Sequence, residues 1–270
     1  MRLGLGSYAY AWAIGIPGYP PVKPMDVFAF VQRAARLGLR AVQIADNLPL
    51  HSLPKSQLKR LTRMTEELGI AVEVGTRGIA PSHLRRYLEL ATQFRSPILR
   101  IVIDTAVHHP TEDEIVETLR PLVPEFESAN VILAIENHDR FKAATLSQIV
   151  QTLDSGWIGV CLDTVNSLGA AEGPEAVVHV LGPYVVNLHV KDFAIQRLDH
   201  MLGFSVEGRI AGKGQLDIAW LLDTLQAYAR TESAILELWP PPEGIVEATI
   251  EKEDAWVVES VRFLRKLITG

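Results

Sequence analysis

Apolar residues in this chain fall into short unbroken runs, separated by longer stretches in which they recur every three or four positions. Short apolar runs bounded by turn residues predict buried parallel strands, and the wider spacing predicts amphipathic helices. The strands are expected at Leu3–Ser7, Ala41–Ala45, Ala71–Gly75, Ile98–Ile103, Val131–Glu136, Gly159–Asp163, Val185–Val190 and Ala234–Leu238. The helices are expected at Met25–Leu37, Ser56–Leu68, Ser82–Phe94, Glu112–Ser128, Leu146–Leu153, Pro174–Leu181, Ile218–Arg230 and Glu251–Leu267. Thr111 with Glu114 reads as a capping box, and Ser82 after Pro81 reads as an N-cap. Gly38 and Gly69 stand where glycines end helices. Eight strands alternating with eight helices give an α/β chain of the closed (β/α)8 TIM barrel type, one domain over residues 1–270. A doubly wound sheet competes, but Gly4-Leu5-Gly6-Ser7 only partly matches the glycine-rich turn it expects after its first strand. Two long connections, Tyr8–Pro24 and Lys191–Gln215, follow strands and are expected over the C-terminal mouth of the barrel.

Four runs end on a metal-type ligand: Glu136, Asp163, His189 and Glu237. Parallel α/β folds build their active sites at this end of their strands. Glu136 to Asp163 spans 27 residues, Asp163 to His189 spans 26, and His189 to Glu237 spans 48. The first two spacings are each close to one strand-helix unit, and the third adds the Lys191–Gln215 insertion. One histidine and three carboxylates converging there make a mostly oxygen site for one divalent cation. The bland alternative is a scatter of caps and salt bridges; Asp46 and Asp104, which also end strands, are read as loop caps or as groups that support the ligands from behind.

Composition narrows the partners more than the fold. The chain is 48% hydrophobic and 21% charged, enough for a large core. A net charge of −6 argues against nucleic acid. The absence of a long apolar run argues against a membrane span. Met1-Arg2-Leu3-Gly4 leads directly into a strand without a signal-peptide pattern. The single cysteine, Cys161, sits inside an apolar run, so it reads as a reduced core residue of a cytoplasmic protein. The oligomeric state is left open, with a homo-oligomer allowed.

The motifs Ile135-Glu136-Asn137-His138, Cys161-Leu162-Asp163-Thr164-Val165-Asn166-Ser167 and His189-Val190-Lys191-Asp192-Phe193 bring in a resemblance. Arg209, Gly212-Lys213-Gly214 and Leu236-Glu237 extend it. The chain resembles the xylose-isomerase-like TIM barrels, in particular the sugar isomerase and epimerase group. The resemblance implies that Glu136, Asp163, His189 and Glu237 bind one divalent metal, manganese preferred, with magnesium, cobalt or zinc as alternatives. It implies isomerisation or epimerisation through a metal-bound enediolate, with Glu136 and Glu237 as the catalytic pair on opposite faces of the substrate.

Two positions depart from that pattern. Asn166 stands where the epimerases carry a substrate-contacting histidine, and Lys142 where they carry a glutamate. Lys142, Lys191, Arg209 and Arg77 all follow strands in an acidic chain, which points to an anionic sugar substrate. Asn166, Lys142, Lys191 and Arg209 are therefore the expected substrate-binding residues. A 3-oxo acid losing carbon dioxide generates the same kind of enolate, so a lyase or decarboxylase in carbohydrate metabolism is the rival reading. A non-catalytic sugar-binding barrel is the third. Trp12 and Tyr8 are read as a pocket wall, His138 as a second-layer or loop group, His108 and His109 as a surface turn, and Trp239 as rim packing.

Overall fold

All eight expected parallel strands form: β1 (Arg2–Gly6), β2 (Ala41–Ile44), β3 (Ala71–Arg77), β4 (Ile98–Val102), β5 (Ile132–Glu136), β6 (Ile158–Asp163), β7 (Val185–Val190) and, after an intervening hairpin, β10 (Ser233–Leu236). In the computed structural model, which describes residues 1–269, they close into one barrel in the order β1-β10-β7-β6-β5-β4-β3-β2. The protein is a single-domain (β/α)8 TIM barrel. The domain expected to run to residue 270 ends on Gly270, which lies outside the described residues. No helix among the described residues is long and apolar enough to cross a membrane.

Strands buried on both faces explain the unbroken apolar runs: β6 and β7 are buried along their whole length. The main core lies between strands and helices, with Phe30, Tyr87 and Phe126 filling it. The barrel interior is different. Its apolar filling includes a small cluster of Ile98, Ala134, Cys161 and Val186, with Ile235 packed against Gly4 and Gly6. Polar side chains share the space: Gln43 on β2 bonds to Asn187 and His189 on β7, a strand it does not adjoin in the barrel. Such groups are tolerated inside only because they find partners.

Helix boundaries differ from the sequence reading where proline intervenes. The stretch Glu112–Ser128 divides into a helix Glu112–Leu119, a 3-10 turn Arg120–Leu122 and a helix Val123–Ala129. Pro121 and Pro124 lack the N–H that a continuous helix needs. Ser82 is not a cap, because the helix Pro81–Phe94 starts one residue earlier on proline. The Thr111–Glu114 capping box forms as expected.

Both long connections are ordered over the mouth. Lys191–Gln215 contains an antiparallel hairpin, β8 (Asp192–Arg197) and β9 (Phe204–Arg209), which the sequence reading left as a loop. Asp192 clamps its base, accepting hydrogen bonds from the backbone N–H groups of Phe193, Gly212, Gly214 and Leu216 at 2.8–3.1 Å. The Tyr8–Pro24 connection holds a helical turn, Ala11–Ile14, whose Trp12 and Ala13 N–H groups donate to the buried Glu253 carboxyl at 2.9 and 3.0 Å. Burial pushes that carboxyl up to about 8.

Candidate functional site

Glu136 and Asp163 are the last residues of β5 and β6. His189 is one residue from the end of β7, and Glu237 directly follows β10. Residues at equivalent strand ends point to the barrel axis. The four meet there: His189 Nδ1 lies 3.4 Å from Glu136 Oε2, 3.6 Å from Asp163 Oδ2 and 3.6 Å from Glu237 Oε2. Space for Glu237 comes from Gly6, where a Cβ would stand 2.7 Å from the Glu237 Cγ.

These groups suit a divalent cation. His189 Nδ1 and Glu237 Oε1 are buried without a hydrogen-bond partner, and Asp163 Oδ2 and Glu237 Oε2 meet only the Lys191 ammonium, at 2.7 and 2.9 Å. Unpartnered buried polar atoms are costly, so a bare imidazole nitrogen and a bare carboxylate oxygen beside two more carboxylate oxygens suit a bound cation. Ligands about 2.0–2.3 Å from one ion stand roughly 3–3.6 Å from one another, as the atoms facing Nδ1 do. Cys161 also lies beside His189 and Glu136. It is a poor ligand here, because burial pushes its thiol up to about 11.

Neighbouring groups fix each member. Asp163 Oδ1 accepts from the N–H groups of Val165 and Asn166 at 2.8 and 2.9 Å, which turns Oδ2 inward. Asn137 braces the ends of β5 and β6, donating to Asp163 O and accepting from Asp163 N–H. Asn166 Nδ2 donates to Glu136 Oε1 at 2.8 Å. Two buried cations answer the carboxylates. Lys191 Nζ lies 2.7 Å from Asp163 Oδ2 and 2.9 Å from Glu237 Oε2. Arg100, on β4, donates through Nε to Glu136 Oε2 and through Nη1 to Asp46 Oδ1. Burial alone would raise the Asp163 carboxyl, but Lys191 and His189 hold it far below the usual range. Burial likewise opposes ionisation of Glu237, and His189, Lys191 and Arg100 outweigh it. Burial lowers and the three carboxylates raise the Lys191 ammonium, with a net rise, so it stays charged.

A cavity of about 460 Å³ opens above this cluster, lined by His138, Asn166, Lys191, Trp239 and the hairpin residue Val206 among others. The indole N–H of Trp239 is buried without a partner. Of the expected substrate-binding residues, Asn166 and Lys191 face this cavity. Lys142 does not line it: it is exposed at the residue preceding the helix Ala143–Leu153. Arg209 ends β9, where its guanidinium is taken up by Glu207, Gln196 and the Gly208 carbonyl. Arg77 is likewise committed, to Asp46 and the Asp104 carbonyl. Tyr8 donates to Asp46, His108 and His109 are exposed, and Asp104 pairs with Arg140.

The sequence reading missed Arg100, Gln43 and Glu73. Each interrupts an apolar run in mid-strand, the one signal that could have found them. Burial raises Glu73, which accepts from the Gln43 and Asn187 amides at 3.1 and 3.0 Å.

Comparison with known proteins agrees with this architecture. Residues 31–267 match the family model described as xylose isomerase-like TIM barrel. The chain is 35% identical over 266 residues to 3-oxo-isoapionate decarboxylase of Pectobacterium atrosepticum, covering 98% of this chain and 95% of that one. It superposes on D-psicose 3-epimerase in the presence of D-fructose with a TM-score of 0.75, at 14% identity and 100% coverage of both chains. A xylose isomerase-like TIM barrel protein from Mycobacterium smegmatis in complex with magnesium gives 0.69, at 13% identity over 96% of this chain and 97% of that one. The family model and the sequence relative each span most of the chain, and on that ground the protein belongs to the xylose isomerase-like TIM barrel family.

Proposed function

We propose that this protein is a divalent-metal-dependent decarboxylase of a 3-oxo sugar acid. The observation that carries the reading is Lys191, a buried ammonium in the cavity wall, against Asp163 and Glu237, where the carboxylate of an acidic substrate can reach it. The 35% identity to a 3-oxo acid decarboxylase over 98% of the chain supports the same choice. A divalent cation held by Glu136, Asp163, His189 and Glu237 supplies Lewis-acid polarisation of the substrate's 3-oxo oxygen. The hard, mostly oxygen donor set favours manganese or magnesium, with cobalt or zinc as alternatives.

The chain's own residues do the remaining work. Lys191 Nζ pairs with the substrate carboxylate by a charge-assisted hydrogen bond. As the C1–C2 bond breaks, C1 leaves as carbon dioxide and the bonding electrons pass into the 3-oxo group. C2 then takes a proton from water in the cavity, while the ammonium keeps its own protons throughout. Asn166 and Arg100 hold Glu136 from two sides, fixing the carboxylate wall against which the substrate lies. Trp239 and Val206 narrow the mouth and limit water.

A second reading, an isomerase or epimerase of an acidic keto-sugar, is favoured by Glu237. Lys191 engages only its Oε2, so the bare Oε1 is the oxygen that would take a substrate proton. The two readings separate when the metal-loaded protein is given a panel of carboxyl-labelled 3-oxo sugar acids in deuterated water. Labelled carbon dioxide with one deuterium gained at C2 is expected. Deuterium exchange without carbon loss would favour the isomerase, and neither signal on any substrate would remove both readings.

A further inference from the structure

Beneath the carboxylates lies a polar network that the proposed reaction does not use. Gln43, Glu73, Cys161, Asn187 and Ser233 come from β2, β3, β6, β7 and β10, and all are buried. Gln43 Nε2 donates to Glu73 Oε2 at 3.1 Å and to Asn187 Oδ1 at 2.9 Å. Asn187 Nδ2 donates to Glu73 Oε2 at 3.0 Å and to Ser233 Oγ at 2.7 Å, and its Oδ1 also accepts from the Cys161 thiol. The remaining polar atom of Gln43, Oε1, stands 2.6 Å from His189 Nε2.

The orientation of the Gln43 amide follows from these partners. Reversing it would turn Oε1 toward two acceptor oxygens, those of Glu73 and Asn187, and leave the NH2 group facing the histidine. Asn187 is fixed in turn by the thiol that donates to its oxygen. With Oε1 toward the imidazole, the bond needs a proton on Nε2, because an amide oxygen only accepts. A neutral histidine bearing its proton on Nε2 has its lone pair on Nδ1. Nδ1 is the nitrogen that faces one oxygen from each of Glu136, Asp163 and Glu237.

We propose that Gln43 is a positioning residue of the metal centre: its side-chain oxygen holds the His189 proton on Nε2 and so presents the Nδ1 lone pair to the three carboxylates. The inference rests on the metal-binding reading of the site. It assigns a role to β2, a strand that contributes no ligand. Asn187 and Glu73 act one step further out, by holding the Gln43 amide in that orientation.

The test uses the intact protein loaded with zinc, which is diamagnetic, and histidines labelled with nitrogen-15. Nuclear magnetic resonance of the wild type is expected to show His189 protonated on Nε2 and coordinated through Nδ1. Gln43→Met keeps the length and removes the acceptor. It should weaken zinc binding by roughly ten- to a hundredfold in calorimetry, the usual size of such outer contacts. Gln43→Glu can still accept from Nε2–H, but its second oxygen meets the Glu73 and Asn187 oxygens, so it should restore coordination through Nδ1 and only part of the affinity. Coordination through Nε2 in the wild type, or wild-type affinity in Gln43→Met, would overturn the proposal while leaving the metal reading intact. No zinc binding by the wild type would overturn the metal reading and this inference together. If Gln43→Met fails to fold, the wild-type spectrum and Gln43→Glu still decide.

Discussion

The two halves of the barrel mouth carry opposite chemistry. The β5, β6, β7 and β10 side presents Glu136, Asp163, His189 and Glu237, all at or next to strand ends. The β2–β4 side presents Gln43, Glu73 and Arg100 from mid-strand, with Asp46 and Arg77 at its rim. One half is built to bind, the other to hold. Arg100 offsets the charge of Glu136, and Gln43 takes the far nitrogen of His189. Residues at strand ends point into the mouth without displacing core side chains. Groups that hold them must reach through the interior, so they occupy positions that would otherwise be core. Lys191 belongs by sequence to the same half as the strand-end residues, yet it supplies a cation, and like Asn166 it meets both the carboxylates and the cavity.

Removing that cation should have the largest effect. Lys191→Met is expected to lower kcat/KM on an acidic substrate by about 10²–10³, the usual cost of losing a charged donor in a site that limits water. Lys142→Met, outside the cavity, should leave it within about twofold. Paired kinetics on the two variants check this. Equal losses would mean that charge is read at the rim rather than inside.

Cutting the contact between the halves comes next. Arg100→Met leaves Glu136 buried without its ion partner, a change worth about 3–5 kcal/mol of stability. Chemical denaturation measures it. The double variant Arg100→Met with Glu136→Gln should recover a large part of that loss, because the uncompensated charge is gone. A single variant as stable as the wild type would show that the halves do not depend on each other.

Within the binding half, Glu237→Gln gives the smallest expected loss. The amide keeps one oxygen for a metal but cannot accept a proton. Metal content should therefore persist, while decarboxylation falls by about tenfold through poorer orientation. Metal analysis alongside turnover reads both. A loss beyond about a thousandfold with metal retained would make Glu237 the base and shift the balance to the isomerase reading.

The sequence by itself determined the barrel and one half of its mouth. Unbroken apolar runs could only be strands buried on both faces, and a charged residue ending such a run stands out against them. Glu136, Asp163, His189 and Glu237 were legible for that reason, and Asn166 and Lys191 through the motifs that contain them. Sequence alone could not place Lys142 and Arg209. Both follow strands, but Lys142 is exposed at a helix start and the β8–β9 hairpin takes up Arg209. That hairpin was itself invisible as a unit, since Asp192 holds its base through four backbone N–H groups, two of them on Gly212 and Gly214 where a side chain would clash, and the spacing of these residues does not show that they meet. Gln43, Glu73 and Arg100 looked like isolated breaks in apolar strands. Their meaning depends on partners 30 to 146 residues away, and only the closure of the barrel brings those together. The local pattern fixes which residues lie at strand ends. Which interior groups satisfy one another is decided by tertiary packing, because a buried hydrogen bond has a partner in space and none in the pattern along the chain.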